Sequence, residues 1–446
     1  MYDLIVIGAG PGGYEAAAHA GRMGKKVAII ERGAVGGTCL NVGCIPTKAF
    51  LRSSQVLSEC RGAAAFGVRI PDGLEFDLPA VVARKNRIVA TLTRGVASLL
   101  KRTGVEVIQG NAELVSRSTV RVGENTWQAA NILIATGSRP AVPPIPGIDS
   151  ASVLDSTAVL ELTRIPENVA IIGGGYIGLE FASFFAETGS KVTIFEMLPQ
   201  IAAGCDHDIA QRLRQSLVKS GVEIKTSCRV TAVEGNTVHY EDSQFTAGCI
   251  LNATGRAPVV DGVGLERVGI DFDRKGIKTN DRGRTSVPGI WACGDVTGRR
   301  LLAHAATREG IVAVNNMFGG DDRIHYDAIP SVIYTHPEVA SAGKTEQELK
   351  TLGLEYRKAI LPMGIAGRYL VEHEAAAGAI KVLTGARYGE ILGVHAIGTP
   401  ASEFIVMAAA MIEMEMCAAD VAGIVFPHPT VSEALKSAIL ATMEQE

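Results

Sequence analysis

Leu4-Ile5-Val6-Ile7-Gly8-Ala9-Gly10-Pro11-Gly12-Gly13 is the stretch whose reading decides the fold. Its four apolar residues read as a buried strand, and the glycine loop opens an Ala-rich helical run, Tyr14 to Met23. A second strand, Lys26 to Ile30, ends on Glu31. The result is a βαβ unit with Gly-x-Gly-x-x-Gly between strand and helix, which is where that spacing carries physical meaning. Gly8 allows the tight turn, Gly10 lets a pyrophosphate approach the backbone, and Gly13 lets the helix pack on the sheet. The helix N-terminus then attracts phosphate, and Glu31 can accept a hydrogen bond from an adenosine ribose. A single such pattern also occurs as an ordinary glycine-rich turn.

The pattern recurs. Val169 to Ile172 reads as a strand, Gly173, Gly175 and Gly178 repeat the spacing, and Lys191 to Phe195 is a second strand ending on Glu196. Each glutamate follows its first glycine by the same number of residues. Two copies imply two dinucleotides. The second favours NAD over NADP, because Glu196 repels a 2′-phosphate and Met197-Leu198-Pro199 offers no Arg in compensation. The bland alternative is that Glu196 is a solvated strand-end charge. A further echo pairs Ile132-Leu133-Ile134-Ala135-Thr136-Gly137 with Ile250-Leu251-Asn252-Ala253-Thr254-Gly255, each a strand returning to its own nucleotide site.

The 446-residue chain is long enough for several cores, and 47% hydrophobic with 20% charged residues is a globular composition. Net charge is −4 and no basic block stands out, which argues against nucleic acid as a partner. No charge-free apolar run reaches the length of a membrane span. The start on a strand and glycine loop predicts no signal peptide, although a targeting segment already removed would leave the same start. Eight cysteines in so long a chain do not make a disulfide scaffold. A reducing, cytoplasmic setting is therefore expected, and a close Cys pair is read as catalytic or metal-binding.

Gly36-Gly37-Thr38-Cys39-Leu40-Asn41-Val42-Gly43-Cys44-Ile45-Pro46-Thr47-Lys48 holds such a pair just after Glu31, beside the first dinucleotide. In a straight helix the Cys39 and Cys44 Cα atoms would lie roughly 8–9 Å apart on different faces. A disulfide needs a closer approach, so the segment must bend, and Gly43 permits it. Pro46 suits the first turn of a following helix, which places Cys44 near a helix N-terminus where a thiolate is stabilised. Zinc is the competing use, but it needs four ligands or three plus water, and no second close Cys/His pair exists. Inert packing of both cysteines is the other alternative. Cys60, Cys205, Cys228, Cys249, Cys293 and Cys417 are isolated and read as small core hydrophobes.

The cysteine motif, the two glycine loops and their order resemble the pyridine nucleotide–disulfide oxidoreductases over essentially the whole chain, and within them the class I branch that oxidises dihydrolipoamide. That resemblance implies FAD at the first unit and NAD at the second. It implies that Cys39 exchanges with the substrate disulfide and that Cys44 is the charge-transfer thiol against the flavin. Lys48 and Glu180 form an ion pair near the flavin edge, and Tyr176 covers the flavin where nicotinamide docks. Glu31, Thr38, Lys48, Ala112, Thr136, Gly137, Ser138, Asp295 and Ala303 match flavin-contact positions, and Val230 and Gly255 match nicotinamide-nucleotide positions. Thiol–disulfide exchange requires a thiolate, hence a base. His428-Pro429-Thr430-Val431-Ser432-Glu433 matches the family's dyad, with Glu433 orienting the His428 ring. Three departures bear on carrier docking: Phe426-Pro427 stands where His-Ala is common, Thr47 where Ser is usual, and Met363-Gly364-Ile365-Ala366 replaces an Asn-containing stretch.

The expected fold is α/β, with two Rossmann-like domains, a central domain and an α+β interface domain. Boundaries are read at 1–142 for the FAD domain and 143–257 for an inserted NAD domain, entered through the stiff run Pro140 to Gly147. Residues 258–324 return to the FAD domain, and 325–446 form the dimerisation domain. The expected substrate is dihydrolipoamide on a lipoyl-domain or lipoyl-carrier protein, and the expected assembly is a homodimer that shares its sites. The rivals are an NADPH-dependent reductase of another small disulfide and a regulatory flavoprotein without turnover.

Overall fold

A computed structural model describes residues 1–373 and 377–444. Its first sheet is built outward from the strand Tyr2–Ile7, which pairs in parallel with Val27–Glu31 on one side and Asn125–Ile134 on the other. Glu106–Gln109 extends the first edge, and Ile290–Ala292 joins Asn125–Ile134 in parallel. Parallel strands buried on both faces read as continuous apolar runs, which is what Leu4 to Ile7 and Ile132 to Ile134 are. An antiparallel arm, Ala112–Ser116 and Thr119–Val122, folds onto the outer half of Asn125–Ile134.

The second sheet repeats the first. Asn168–Ile172 pairs in parallel with Lys191–Phe195 and Cys249–Asn252, and Glu223–Lys225 extends the edge. An antiparallel sheet of its own, Val230–Glu234, Thr237–Tyr240 and Ser243–Thr246, stands in the place of the first unit's arm. The helix Pro11–Arg22 follows the first loop, and Tyr176–Glu187 follows the second. Both loops turn at a glycine with positive φ, +101° at Gly8 and +110° at Gly173, a region closed to most side chains.

The third sheet is antiparallel, in the order Ser331–Ile333, Val339–Gly343, Ile391–Ile397, Ala379–Gly385, Tyr356–Pro362. The helices Ala401–Glu413 and Glu433–Ala441 cover it, and one apolar core joins them to the sheet. The α/β class and its separate antiparallel C-terminal layer are those read from the sequence. Among the described residues no helix is long and apolar enough to cross a membrane.

One sequence reading needs correction. Of the isolated cysteines, Cys228, Cys249 and Cys293 are buried and Cys205 packs against the core, whereas Cys60 and Cys417 are only partly covered. Cys60 is near the end of the helix Cys44–Gly62, and Cys417 caps another. Element ends have fewer layers of neighbours than strand centres.

Candidate active site

A cavity of about 900 Å³ runs from the first glycine loop to the cysteine pair. Gly8, Gly10, Glu31, Thr38, Ala112, Thr136, Gly137, Ser138, Asp295 and Ala303 all line it, as do Cys39, Cys44, Lys48, Tyr176 and Glu180. Gly13 lies one layer behind, where a Cβ would meet the Gly8 carbonyl oxygen at 1.9 Å. The volume is in the range of buried cofactor sites.

The cysteines stand on two short-range neighbours. Cys39 belongs to the helix Gly37–Val42, and Cys44 is the first residue of the helix Cys44–Gly62. Gly43 breaks the run with φ −136° and ψ −111°, and a Cβ there would sit 2.8 Å from the Thr38 carbonyl oxygen. The break brings the two thiols together, and Cys39 donates a hydrogen bond to the Cys44 sulfur. That bond lowers the Cys44 thiol to about 7, with help from the Lys48 cation and against the pull of burial. The same bond, reinforced by burial, pushes Cys39 far above the usual thiol range. Cys44 is therefore the more readily ionised thiol of the reduced pair.

Lys48, one turn along the same helix, reaches both oxygens of Glu180, at 2.9 and 2.8 Å. The Glu180 side chain is 4% exposed and also accepts the Tyr334 N–H at 3.0 Å. Lys48 lies over the Tyr334 ring, 4.5 Å from its centroid. Removing one partner of so covered a pair typically costs about 3–5 kcal/mol. Tyr176, at the N-terminus of its helix and 39% exposed, also lines the cavity.

Elsewhere in the cavity lining Ser138 donates to Asp295 at 2.5 Å, and Arg256 Nε donates to Ser138 Oγ at 2.7 Å. Burial raises the Asp295 carboxyl above its usual range, while Ser138 and Arg256 pull it back. Neither Tyr334 nor a role for Arg256 was read from the sequence. The signals present were an aromatic residue just before His336-Pro337 and a cation directly after the Gly255 echo.

The two strand-end glutamates hold their own loops. Glu31 accepts from Ala9 N at 2.7 Å and Gly33 N at 2.8 Å. Glu196 accepts from Gly174 N at 2.6 Å and Leu198 N at 2.7 Å. Gly173, Gly175, Gly178, Glu196, Val230 and Gly255 lie outside the cavity, around the second loop and its sheet. The Val230 side chain is buried in the core with Phe195.

His428 and Glu433 are also outside the cavity. His428 Nδ1 lies 2.9 Å from Glu433 Oε1, and the His428 side chain is 78% exposed. Thr430 N–H and His428 both hold the Glu433 carboxyl below its usual range. The dyad is assembled, but it does not meet the cysteines of its own chain. Among the described residues no group of His, Cys, Asp and Glu is arranged to hold a metal ion.

A thiol pair with one readily ionised member, at the end of a dinucleotide-sized cavity, defines a disulfide oxidoreductase. The chain belongs to the pyridine nucleotide-disulphide oxidoreductase family: residues 2–310 match that family's model, and residues 329–439 match its dimerisation domain. It is 41% identical to dihydrolipoyl dehydrogenase 3 of Pseudomonas aeruginosa, covering 98% of this chain and 97% of the relative. It is 38% identical to dihydrolipoyl dehydrogenase of Bacillus subtilis, covering 99% and 98%. Among solved structures, the HOCl-induced flavoprotein disulfide reductase RclA of Escherichia coli superposes with a TM-score of 0.87 at 30% identity, over 98% of this chain and 99% of that one.

Proposed function

We propose that this chain is an FAD-containing, NAD-dependent dihydrolipoyl dehydrogenase that oxidises dihydrolipoamide on a lipoyl domain or other lipoyl carrier. The observation that carries this is the Cys39–Cys44 pair, with its thiolate-forming Cys44, on the wall of the cavity that starts at the first glycine loop. The residues present fit FAD. The loop and helix N-terminus suit a pyrophosphate, Glu31 suits a ribose, Asp295 a ribityl hydroxyl, and the cysteines close the far end. Gly173, Gly175, Gly178 and Glu196, with Val230 and Gly255 nearby, would hold NAD.

In this mechanism His428, oriented by Glu433, takes the proton from one substrate thiol. The substrate thiolate attacks Cys39 of the Cys39–Cys44 disulfide, that S–S bond breaks, and Cys44 leaves as a thiolate. The second substrate thiol then displaces Cys39, its proton passing to the departing Cys39 sulfur, and closes the product disulfide. The electron pair now resides on the cysteines. FAD, which the first glycine loop, Glu31 and Asp295 would hold beside Cys44, would supply the two-electron chemistry that links the cysteine pair to nicotinamide. Lys48 stabilises the Cys44 thiolate, and Glu180 holds Lys48 in place. Tyr176 screens the nicotinamide side from water.

The cysteine cavity has neither His428 nor Glu433 in its lining, so the base at Cys39 would come from another chain. In the proposed homodimer, His428 and Glu433 of one protomer complete the site at Cys39 of its partner, and two-fold symmetry makes two such sites. A reducing, cytoplasmic compartment suits the thiol pair. The direct test is steady-state turnover of dihydrolipoamide with NAD⁺, free and on isolated lipoyl domains. Absence of dithiol oxidation, or faster NADPH-linked reduction of another small disulfide, overturns the reading. Mixed dimers of Cys39→Ser and His428→Ala protomers test the shared site. They should recover about half of wild-type activity, because one of the two sites regains every group. Inactive mixed dimers would place each site within one chain.

A further inference from the structure

The cavity wall that carries Asp295 is held from behind by a second carboxylate. Gly294 begins the short turn Gly294–Thr297, and its N–H donates to Glu309 Oε2 at 2.6 Å. The other oxygen, Glu309 Oε1, accepts from the Tyr326 hydroxyl at 2.9 Å. Glu309 is 5% exposed and does not line the cavity. It sits on the helix Ala303–Met317, whose first residue does line it. Arg299 lies over the Tyr326 ring, 5.4 Å from its centroid. One side chain thus ties the turn presenting Asp295 to the cavity helix and to the first turn of the C-terminal domain.

Stability alone does not account for an acid here. Burial raises the Glu309 carboxyl to about 7, outweighing the Gly294 N–H, the Tyr326 hydroxyl and Arg299, and Asp295 pushes in the same direction as burial. For an acid whose folded-state value is raised, stability is fully present below its unfolded value and is lost as pH rises through the folded one. At neutral pH the carboxylate therefore weakens the fold relative to a neutral group of its shape. What it contributes is geometry: its two oxygens accept the Gly294 N–H and the Tyr326 hydroxyl at once, which fixes the Gly294–Asp295 peptide.

We propose that Glu309 is a positioning residue for FAD, setting through the Gly294 N–H the turn from which Asp295 meets the bound cofactor. This rests on the cavity being the FAD site. The experiment measures the FAD dissociation constant of apoprotein by flavin fluorescence, together with the visible flavin spectrum, for wild type, Glu309→Gln, Glu309→Leu and Tyr326→Phe. Glutamine keeps an acceptor oxygen for Gly294 and should stay within about threefold of wild type. Leucine strands that N–H and should weaken binding about tenfold or more. Tyr326→Phe frees one oxygen without touching the turn and should fall between; it carries the test if the leucine variant does not fold. Wild-type affinity in Glu309→Leu, or equal loss in the glutamine and leucine variants, overturns the inference alone. A wild-type protein that binds no FAD overturns the parent reading together with it.

Discussion

The two glycine units are nearly superposable in their local bonding, yet they do different work. Gly8 N donates to Ile30 O and Gly173 N to Phe195 O, both at 2.8 Å, and Ala135 N–Ile7 O and Ala253 N–Ile172 O repeat that distance. Each terminal glutamate accepts the N–H of the residue after the loop's first glycine, Ala9 in one unit and Gly174 in the other. The first unit, however, is walled in by the cysteine helices, the antiparallel arm and the turn bearing Asp295. The second has single cysteines but no close pair of them, and its loop glycines line no comparable cavity among the described residues. Local backbone design thus specifies a nucleotide-binding unit, and the neighbours specify its chemistry.

The largest expected effect separates the units by thiol chemistry. Cys39→Ser and Cys44→Ser should each cut dithiol turnover on the order of 10³-fold or more, since each removes an essential nucleophile or leaving group. NADH oxidation by an artificial electron acceptor should persist in both, because the second unit is untouched. Near-normal dithiol turnover in either would erase the distinction.

Next come the packing glycines. A Cβ at Gly13 would meet Gly8 O at 1.9 Å, and one at Gly178 would meet Gly173 O at 2.1 Å. Each Ala substitution should cost about 3 kcal/mol locally. Gly13→Ala should purify without flavin colour, whereas Gly178→Ala should stay yellow with a raised KM for NAD⁺. Loss of flavin from both would show that the units are not independent.

Glu196→Arg should narrow the preference for NAD⁺ over NADP⁺ by about 100-fold, read as the ratio of the two kcat/KM values, since a like-charge clash becomes an attraction. Retained FAD content is the control. An unchanged ratio would show that Glu196 serves only the Gly174 and Leu198 N–H groups.

The smallest effect is a titration shift. Lys48 helps hold Cys44 near 7, so thiolate accumulates as pH rises through that value. In Lys48→Met the midpoint of the thiolate–flavin absorbance should move upward by about one unit, roughly 1.4 kcal/mol. An unmoved midpoint would assign the low value to the Cys39 hydrogen bond alone.

Much of the site was legible because its decisive features are local. The glycine spacing, the strand-end glutamates and the Cys39–Gly43–Cys44 bend each depend on residues within one or two turns of one another. Tyr334 beneath Lys48, Arg256 on Ser138 and Glu309 behind Gly294 were missed. Tyr334 and Arg256 meet partners distant in sequence, and no short pattern encodes those contacts. Glu309 is closer to Gly294 in sequence, but the contact depends on where a strand end meets a separate helix. The partly covered Cys60 and Cys417 were misread for a related reason: residue type predicts average burial, and position within an element decides the actual value.

The sequence by itself determined the two nucleotide-binding units, the paired thiols and the dyad at His428, because backbone sterics and neighbouring side chains act over a few residues. Only the tertiary structure decided which unit is enclosed, which distant side chains support Lys48 and Asp295, and that the exposed dyad stands apart from the cysteines of its own chain. Those outcomes depend on burial and on through-space fields, and both arise only when elements far apart in the chain pack together.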